Sequence, residues 1–182
     1  MKPTVALQLY TVRDETQKDF LGTLKAVAAL GYPAVQLAGT GGLSAAELKR
    51  ALDDLGLKVA GSHLSLAQLE SGLEAEVEYC LALGTIDVVL SALPQELRAS
   101  RTTYEDAAVR MAAIAKRCRA LGARFSYHNH AFEFERFDGV AAGLLHQPPP
   151  VTALGDRDRD PVPGRLAQRF GQQVALRQLA VD

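Results

Sequence analysis

The chain lacks an excess of either charge and has no basic block or stripe. Its 182 residues include 20 Lys and Arg against 21 Asp and Glu, which leaves a formal net charge of −1. Proteins that bind nucleic acids usually present clustered positive charge to the phosphate backbone. We therefore expect no nucleic-acid partner.

The sequence also lacks the apolar segments that membranes and export require. Polar residues interrupt its apolar runs far short of the ~20 residues needed to span a bilayer. The N-terminal residues enter a strand pattern directly, without the basic, apolar and cleavage regions of an export signal. We expect a cytoplasmic protein with no membrane partner.

Cysteine is scarce. Cys80 and Cys118 are far apart, both fall in helical patterns, and neither belongs to a Cys-x-x-Cys pair. This spacing favours buried free thiols in a reducing cytoplasm over a disulfide or a metal-binding pair.

Short apolar runs with strand character alternate with stretches of helical periodicity. The strands are predicted at residues 5–10, 34–38, 59–63, 87–91 and 124–127, and the helices at 20–30, 44–55, 67–83 and 104–121. Each helix ends in Leu-Gly, a frequent helix stop. Strand centres recur every ~25 to 35 residues, the length of a βα unit, so the pattern predicts an α/β domain.

No glycine-rich phosphate loop follows strand one. Its absence argues against a doubly wound dinucleotide-binding sheet. Residues 39–42, Gly-Thr-Gly-Gly, lack the full spacing and are interpreted as a flexible βα loop. Polar side chains instead follow several strands, as at the C-terminal face of a (β/α) barrel. These residues are Gln8, Tyr10, Gln36, His63, Ser91 and positions 128–133. We predict a TIM-type (β/α) barrel.

The densest polar cluster lies at the end of strand five. Residues 125–135 contain His128, Asn129, His130, Glu133 and Glu135. Such groups are costly at the mouth of a buried strand unless they serve a site.

Four segments resemble the xylose isomerase-like TIM barrels known as sugar phosphate isomerases/epimerases. They are residues 7–14 (LQLYTVRD), 31–39 (GYPAVQLAG), 61–63 (GSH) and 127–134 (YHNHAFEF), and the similarity covers roughly residues 4–138. The resemblance implies a small-molecule sugar substrate and reversible proton transfer beside its carbonyl, in carbohydrate metabolism. It also implies a divalent ion (Mn, Mg, Co or Zn) bound after strands five to eight.

The resemblance aligns Glu133 with the motif's glutamate and so makes it the predicted metal ligand and a catalytic residue. Glu135 would point the same way if the strand continued, but we favour Glu133. Proton abstraction beside a carbonyl needs a base and a positive group on the developing enediolate oxygen, which a metal ion supplies.

His63 and His130 are the other predicted catalytic residues, holding substrate hydroxyls or ordering the metal's surroundings. The alternative for each is a histidine satisfied by backbone groups. His128 is expected one layer deeper, on the same side as His130. The predicted substrate-binding residues are Gln8, Tyr10, Gln36, His63, His128 and Asn129. Gln36 replaces a glutamate of many relatives, which weakens the case for a base from strand two.

Composition changes after residue 138. Residues 139–182 contain no Lys, Glu, Ile or Tyr, whereas residues 1–138 hold ten Glu and six Lys. We assign 1–138 to the barrel region and 139–182 to an atypical tail, which is either an out-of-frame segment or an edge-covering variant. Strands six to eight and their ligands are not recognisable, so the predicted barrel is incomplete, with about five βα units.

Three functions are consistent with this sequence. The first is a metal-dependent sugar or sugar-phosphate isomerase or epimerase. The second is a truncated, non-catalytic barrel that binds sugar or metal weakly. The third, a multi-zinc endonuclease of the same barrel class, is disfavoured by four histidines and a balanced charge. Open sheet edges predict a homo-oligomer.

Overall fold

The structure, a computed structural model, describes residues 5–137 and 139–144. Five parallel strands pair in the order β1-β2-β3-β4-β5, so each strand lies beside its predecessor in sequence. They are β1 Ala6–Gln8, β2 Ala34–Leu37, β3 Lys58–Leu64, β4 Asp87–Leu90 and β5 Arg124–Tyr127. This confirms the α/β prediction, and the described strands do not close into a barrel.

Helices connect consecutive strands. They are α1 Arg13–Lys18, α2 Phe20–Ala29, α3 Ala45–Asp54, α4 Leu66–Ser71, α5 Leu73–Ala82 and α6 Arg101–Ala120. The four predicted glycine stops have positive φ angles of 87°, 66°, 81° and 82° at Gly31, Gly56, Gly84 and Gly122. No helix in the described ranges is both long and apolar enough to cross a bilayer.

Two predicted elements are corrected. The single helix at 67–83 is two helices, because Gly72 between them has a non-helical backbone (φ −144°, ψ 31°). Strand one ends early: a 3-10 helix, Leu9–Val12, follows Gln8, whose side chain accepts the Tyr10 N–H at 3.1 Å. Tyr10 therefore lies on a turn and is 61% exposed.

The hydrophobic core lies between the sheet and the helices. Leu64, Leu90 and the side chains of α4 to α6 form one buried cluster, and Val35, Leu37 and the side chains of α2 and α3 form another. Cys80 and Cys118 are buried free thiols, as predicted.

The first residues of the predicted tail fold back on residues before position 138. β6 Arg136–Phe137 pairs with β7 Val140–Ala141 as an antiparallel hairpin, and a 3-10 helix, Ala142–Leu144, follows. Ala142 is fully buried in the first core cluster. The remainder of the predicted tail lies outside the described residues.

Candidate functional site

The sheet has one face packed against helices and one face directed away from them. Leu7, Val35, Leu37, Val88 and Leu90 belong to or pack against the helix-side clusters. Since successive side chains alternate along a strand, the residues between them point to the opposite face. We call this opposite face the inner face; its side chains include Gln8, Gln36, His63, Asp87, Arg124 and Ser126.

A β-bulge determines where His63 points. Val35 pairs with Val59 but Leu37 pairs with Ser62, so β3 contains one extra residue opposite β2. Without that residue, the alternation starting at Val59, which packs on the helix side, would place His63 on the helix side too. The bulge shifts the alternation by one residue, so the His63 side chain lies on the inner face.

Gly61 provides the extra residue of the bulge. Its φ of +149° favours glycine, and a Cβ there would lie 3.1 Å from Asp87 Cβ and 3.2 Å from its carbonyl oxygen. Gln36 Nε2 would be 3.6 Å away. The close approach of two neighbouring strands therefore requires a residue without a side chain.

Three of the predicted histidines form a continuous row. The His63 and His128 ring centroids are 5.1 Å apart, and those of His128 and His130 are 4.8 Å apart in an edge-to-face arrangement. His128 donates its backbone N–H to the Leu90 carbonyl at 3.0 Å, which extends the β4–β5 pairing by one residue. The His63 and His128 rings thus meet across β4, at the carboxyl ends of the strands.

The row of rings continues from His130 to Phe132, which contacts the guanidinium group of Arg98. The His130 and Phe132 rings are stacked with centroids 5.1 Å apart, and the Arg98 guanidinium carbon lies 4.1 Å from the Phe132 centroid on a ring face. Arg98 Nε is buried and has no hydrogen-bond partner among the described residues. Arg98 was not predicted, because its 3-10 helix, Gln95–Arg98, lies in a connection without a polar motif.

Glu133 is 3% exposed and both of its oxygens accept hydrogen bonds. Tyr127 Oη donates to Oε1, and the His130 backbone N–H donates to Oε2 at 2.6 Å. Burial raises the pKa of the Tyr127 phenol, and the hydrogen bond to Glu133 raises it further. The carboxylate therefore joins the end of β5 to the start of the 3-10 helix Ala131–Phe134.

Glu135 does not share the orientation of Glu133. The condition for period-two alternation fails because β5 ends at Tyr127 and residues 131–134 form a 3-10 helix. Glu135 is exposed whereas Glu133 is buried.

The predicted substrate-binding residues fall into separate groups. Gln8 Nε2 donates to Gln36 Oε1 at 2.8 Å, a pair set by the β1–β2 register. Tyr10 stacks under Arg13, 4.8 Å from ring centroid to guanidinium carbon. Asn129 is exposed. Only His128 and His63 among them belong to the histidine row.

A cleft of about 340 Å³ adjoins His63 at the carboxyl ends of β2 and β3. Its polar lining comes from Thr40, Ser62, His63, Gln68, Glu76 and Tyr79. Gln68 Nε2 donates to Glu76 Oε1 at 3.0 Å, and Tyr79 Oη donates to the Leu43 carbonyl at 2.8 Å. Sequence reasoning missed Glu76 and Tyr79, because on α5 they read as ordinary helix-surface positions.

The donor set does not fit a divalent ion as it stands. Within residues 5–137 and 139–144 no three His, Cys, Asp or Glu side chains are grouped to hold one. Glu133, the predicted ligand, has both oxygens engaged. Because Glu133 is also 3% exposed, a cation would have to displace these donors to reach its oxygens.

Comparison with known proteins supports the fold. No protein-family model and no curated protein matches the chain. Two crystal structures of sugar phosphate isomerase/epimerase from Parabacteroides distasonis match it with TM-scores of 0.65 and identities of 19% and 20%. Each match covers 78% of this chain but 59% and 63% of theirs, so the chain spans about three fifths of their length. The expected fold is thereby confirmed: the described residues form part of a TIM-type barrel like that of sugar phosphate isomerases/epimerases.

Proposed function

We propose that this protein is a sugar isomerase or epimerase that moves a proton between the carbons beside a carbonyl. The observation that carries the proposal is the row formed by His63, His128 and His130 at the carboxyl ends of the strands. Barrel enzymes place their reacting groups at this end of the sheet.

Imidazoles suit the proposed proton transfer. Their ordinary pKa of about 6.5 allows them to accept and return a proton near neutral pH. His63 lies on the inner face at the carboxyl end of β3, and its ring centroid is 5.1 Å from that of His128, so the two imidazoles can act on one bound sugar. The Arg98 guanidinium, 4.1 Å from the Phe132 ring centroid, adds a positive charge near the row that can stabilise a developing oxyanion.

The test is solvent exchange at the sugar carbons. The full chain is incubated with D-fructose or D-fructose 6-phosphate in D2O, and ¹H NMR follows the loss of the protons next to the carbonyl. Exchange should fall by about 100-fold or more in His63→Asn, the range expected for loss of a general base. Lys58→Gln, at the other end of β3, is the control. Exchange that is absent, or equal in His63→Asn and wild type, contradicts the proposal.

The resemblance also implies a divalent ion, and we propose that Glu133 binds it only after giving up its bonds from Tyr127 and His130. Mn²⁺ binding to the described site should therefore be weak, and Glu133→Gln should abolish it while helical content is unchanged. Calorimetry and circular dichroism measure the two quantities. Equal Mn²⁺ affinity in wild type and Glu133→Gln would contradict the assignment.

A second candidate function is a truncated, non-catalytic barrel fragment that binds sugar or metal weakly. One carboxylate leaves most of a cation's coordination to water, so metal binding by such a fragment would be weak. Under this alternative the chain binds sugar without exchanging its protons. We expect turnover by the 182-residue chain to be low at best.

The open sheet leads us to propose a homo-oligomer. β1 and β5 each pair with one strand only among the described elements, and Val5, which precedes β1, is 65% exposed. Unpaired strand edges favour association with a second chain. Light scattering should show dimers or larger species at micromolar concentration. A monomer with robust turnover would show that the residues beyond position 144 complete the site.

A further inference from the structure

We propose that Arg98 is a positioning residue: its guanidinium holds the Phe132 ring, and that ring holds the His130 imidazole in the histidine row. The inference rests on the proposed function, because it concerns how His130 is placed within the row. It goes beyond the charge that Arg98 brings near the row, since it makes the orientation of His130 depend on the connection between β4 and α6.

This connection fixes the backbone of Arg98. The 3-10 helix Gln95–Arg98 begins directly after Pro94, whose ring restricts one backbone angle. Leu97, the residue before Arg98, is buried in the first core cluster. The backbone is therefore anchored to the core, while the half-buried Arg98 side chain extends to Phe132.

The guanidinium of Arg98 lies on the face of an aromatic ring. Its carbon is over the Phe132 ring, 4.1 Å from the centroid, inside the ~6 Å range of a cation–π interaction. Arg98 Nε is buried without a hydrogen-bond partner in the described part of the chain, so part of the group is removed from water. Loss of water strengthens the attraction between a cation and a ring face. Arg98 therefore restrains the Phe132 ring.

The other contacts of Phe132 restrain its ring less. Tyr104 Oη donates to the Phe132 carbonyl at 3.4 Å, which is longer than the ~2.5–3.0 Å that is usual for a hydroxyl donor. This bond locates the backbone of the 3-10 helix Ala131–Phe134 and leaves the rotation of the ring free. The Phe132 side chain is only partly buried where it packs against the first core cluster. The orientation of the ring therefore depends on Arg98 and His130.

The Phe132 ring in turn sets the plane of His130. The two rings are nearly parallel, with an interplanar angle of 9° and centroids 5.1 Å apart. The same imidazole meets the His128 ring edge to face, at 82° and a centroid distance of 4.8 Å. An edge-to-face contact needs a defined angle between the rings, so a rotation of His130 breaks it. Displacement of Phe132 would separate His130 from the rest of the row.

NMR of the His130 ring protons in the full labelled chain tests the positioning role without a substrate. Stacking on an aromatic ring shifts proton signals, so Phe132→Leu, which removes that ring, measures the full change. Arg98→Met, which keeps an unbranched side chain without its charge, should produce most of this change, and Arg98→Lys, which retains a cation, should produce less. Arg119→Met removes a positive charge from the exposed end of α6 and is the control, which should leave the signals unchanged.

A double variant shows whether Arg98 acts through Phe132. In the Phe132→Leu background, Arg98→Met should cause no further change in the His130 signals, because the ring that links the two residues is gone. Solvent exchange of D-fructose adds a readout that separates position from charge, since Phe132→Leu leaves the Arg98 charge in place. Exchange in Phe132→Leu should fall at least about tenfold, because misplacing a reacting group by about 1 Å can cost ~100-fold in rate.

The outcomes separate this inference from the proposed function. Unchanged His130 signals in Arg98→Met overturn the inference, and so does an equal effect of Arg98→Met in the wild-type and Phe132→Leu backgrounds. Exchange at the wild-type rate in Phe132→Leu also overturns it, because the position of His130 would then not matter to the reaction. If wild type exchanges no D-fructose proton, the proposed function alone fails, and the ring signals still decide the inference.

Discussion

The two faces of the sheet differ in both composition and environment. The helix-side face consists of leucine and valine side chains that are 0% exposed at Val35, Leu37, Val88 and Leu90. The inner face holds amides, imidazoles and an ion pair, and Ser126 on it is exposed. Burial of apolar area supplies most folding free energy, so the helix-side face stabilises the protein and the inner face is available for chemistry.

The ion pair of the inner face illustrates the difference. Arg124 donates to Asp87 through Nε at 2.5 Å and through Nη2 at 2.7 Å, from directly paired positions of β4 and β5. The Arg124 side chain is 68% exposed, and exposed pairs contribute only about 0–1 kcal/mol to stability. The ion pair on the inner face therefore contributes more to the register of β4 and β5 than to the stability of the protein.

The largest expected effect contrasts one residue from each face. Leu90→Ala should lower the free energy of unfolding by about 2–5 kcal/mol, because it leaves a cavity among fully buried neighbours. Ser126→Ala on the inner face should change it by less than about 0.5 kcal/mol. Urea denaturation followed by circular dichroism measures both. Similar costs for the two substitutions would refute the division between the faces.

An effect of intermediate size is expected at the β-bulge, where the alternation of side chains along β3 shifts by one residue. Gly61→Ala should destabilise the protein by about 1–3 kcal/mol, because its backbone angle is strained for other residues and its Cβ would crowd Asp87. It should also slow the solvent exchange of D-fructose, because relief of the strain turns His63 from the inner face. Gly72→Ala is the control, since a Cβ there meets only the Gln68 carbonyl at 3.7 Å. Loss of stability without slower exchange would show that the bulge does not position His63.

The smallest expected effect concerns the exclusion of water from the helix-side core. Burial, with a smaller contribution from Glu76, raises the pKa of the Cys80 thiol to about 11. An unfolded thiol has a pKa of about 8.5, so above that pH the unfolded state loses a proton that the folded state keeps. The stability that this thiol contributes is complete below pH ~8.5 and is lost towards pH ~11, at up to about 1.4 kcal/mol per pH unit.

Denaturation at several pH values isolates this contribution. The slope of unfolding free energy against pH should become shallower in Cys80→Ala. Val77→Ala, which truncates a neighbouring core side chain without a titratable group, should lower stability but keep the wild-type slope. An unchanged slope in Cys80→Ala would mean that water reaches the thiol.

The sequence alone predicted the strand–helix repeat because each unit carries its own signals, such as the capping box at Ser44 and Glu47. It did not predict the bulge, because the extra residue at Gly61 depends on how β3 pairs with β2 and on the close approach of Asp87. The histidines were predicted as site residues, and their contacts as a row depend on that bulge. The surroundings of Glu133 were missed because residues 131–134 form a 3-10 helix that was not predicted.

The sequential strand order bears on how the chain folds during synthesis. In the five-stranded sheet, each strand after β1 hydrogen-bonds to the strand made just before it, so no pairing in this sheet waits for a distant segment. A nascent chain leaving the ribosome can add one βα unit at a time to a growing sheet, as repeat proteins extend from a folded neighbour. Pausing of translation after α6 would expose the free edge of β4 to other nascent chains, until Arg124–Tyr127 emerges and pairs with it.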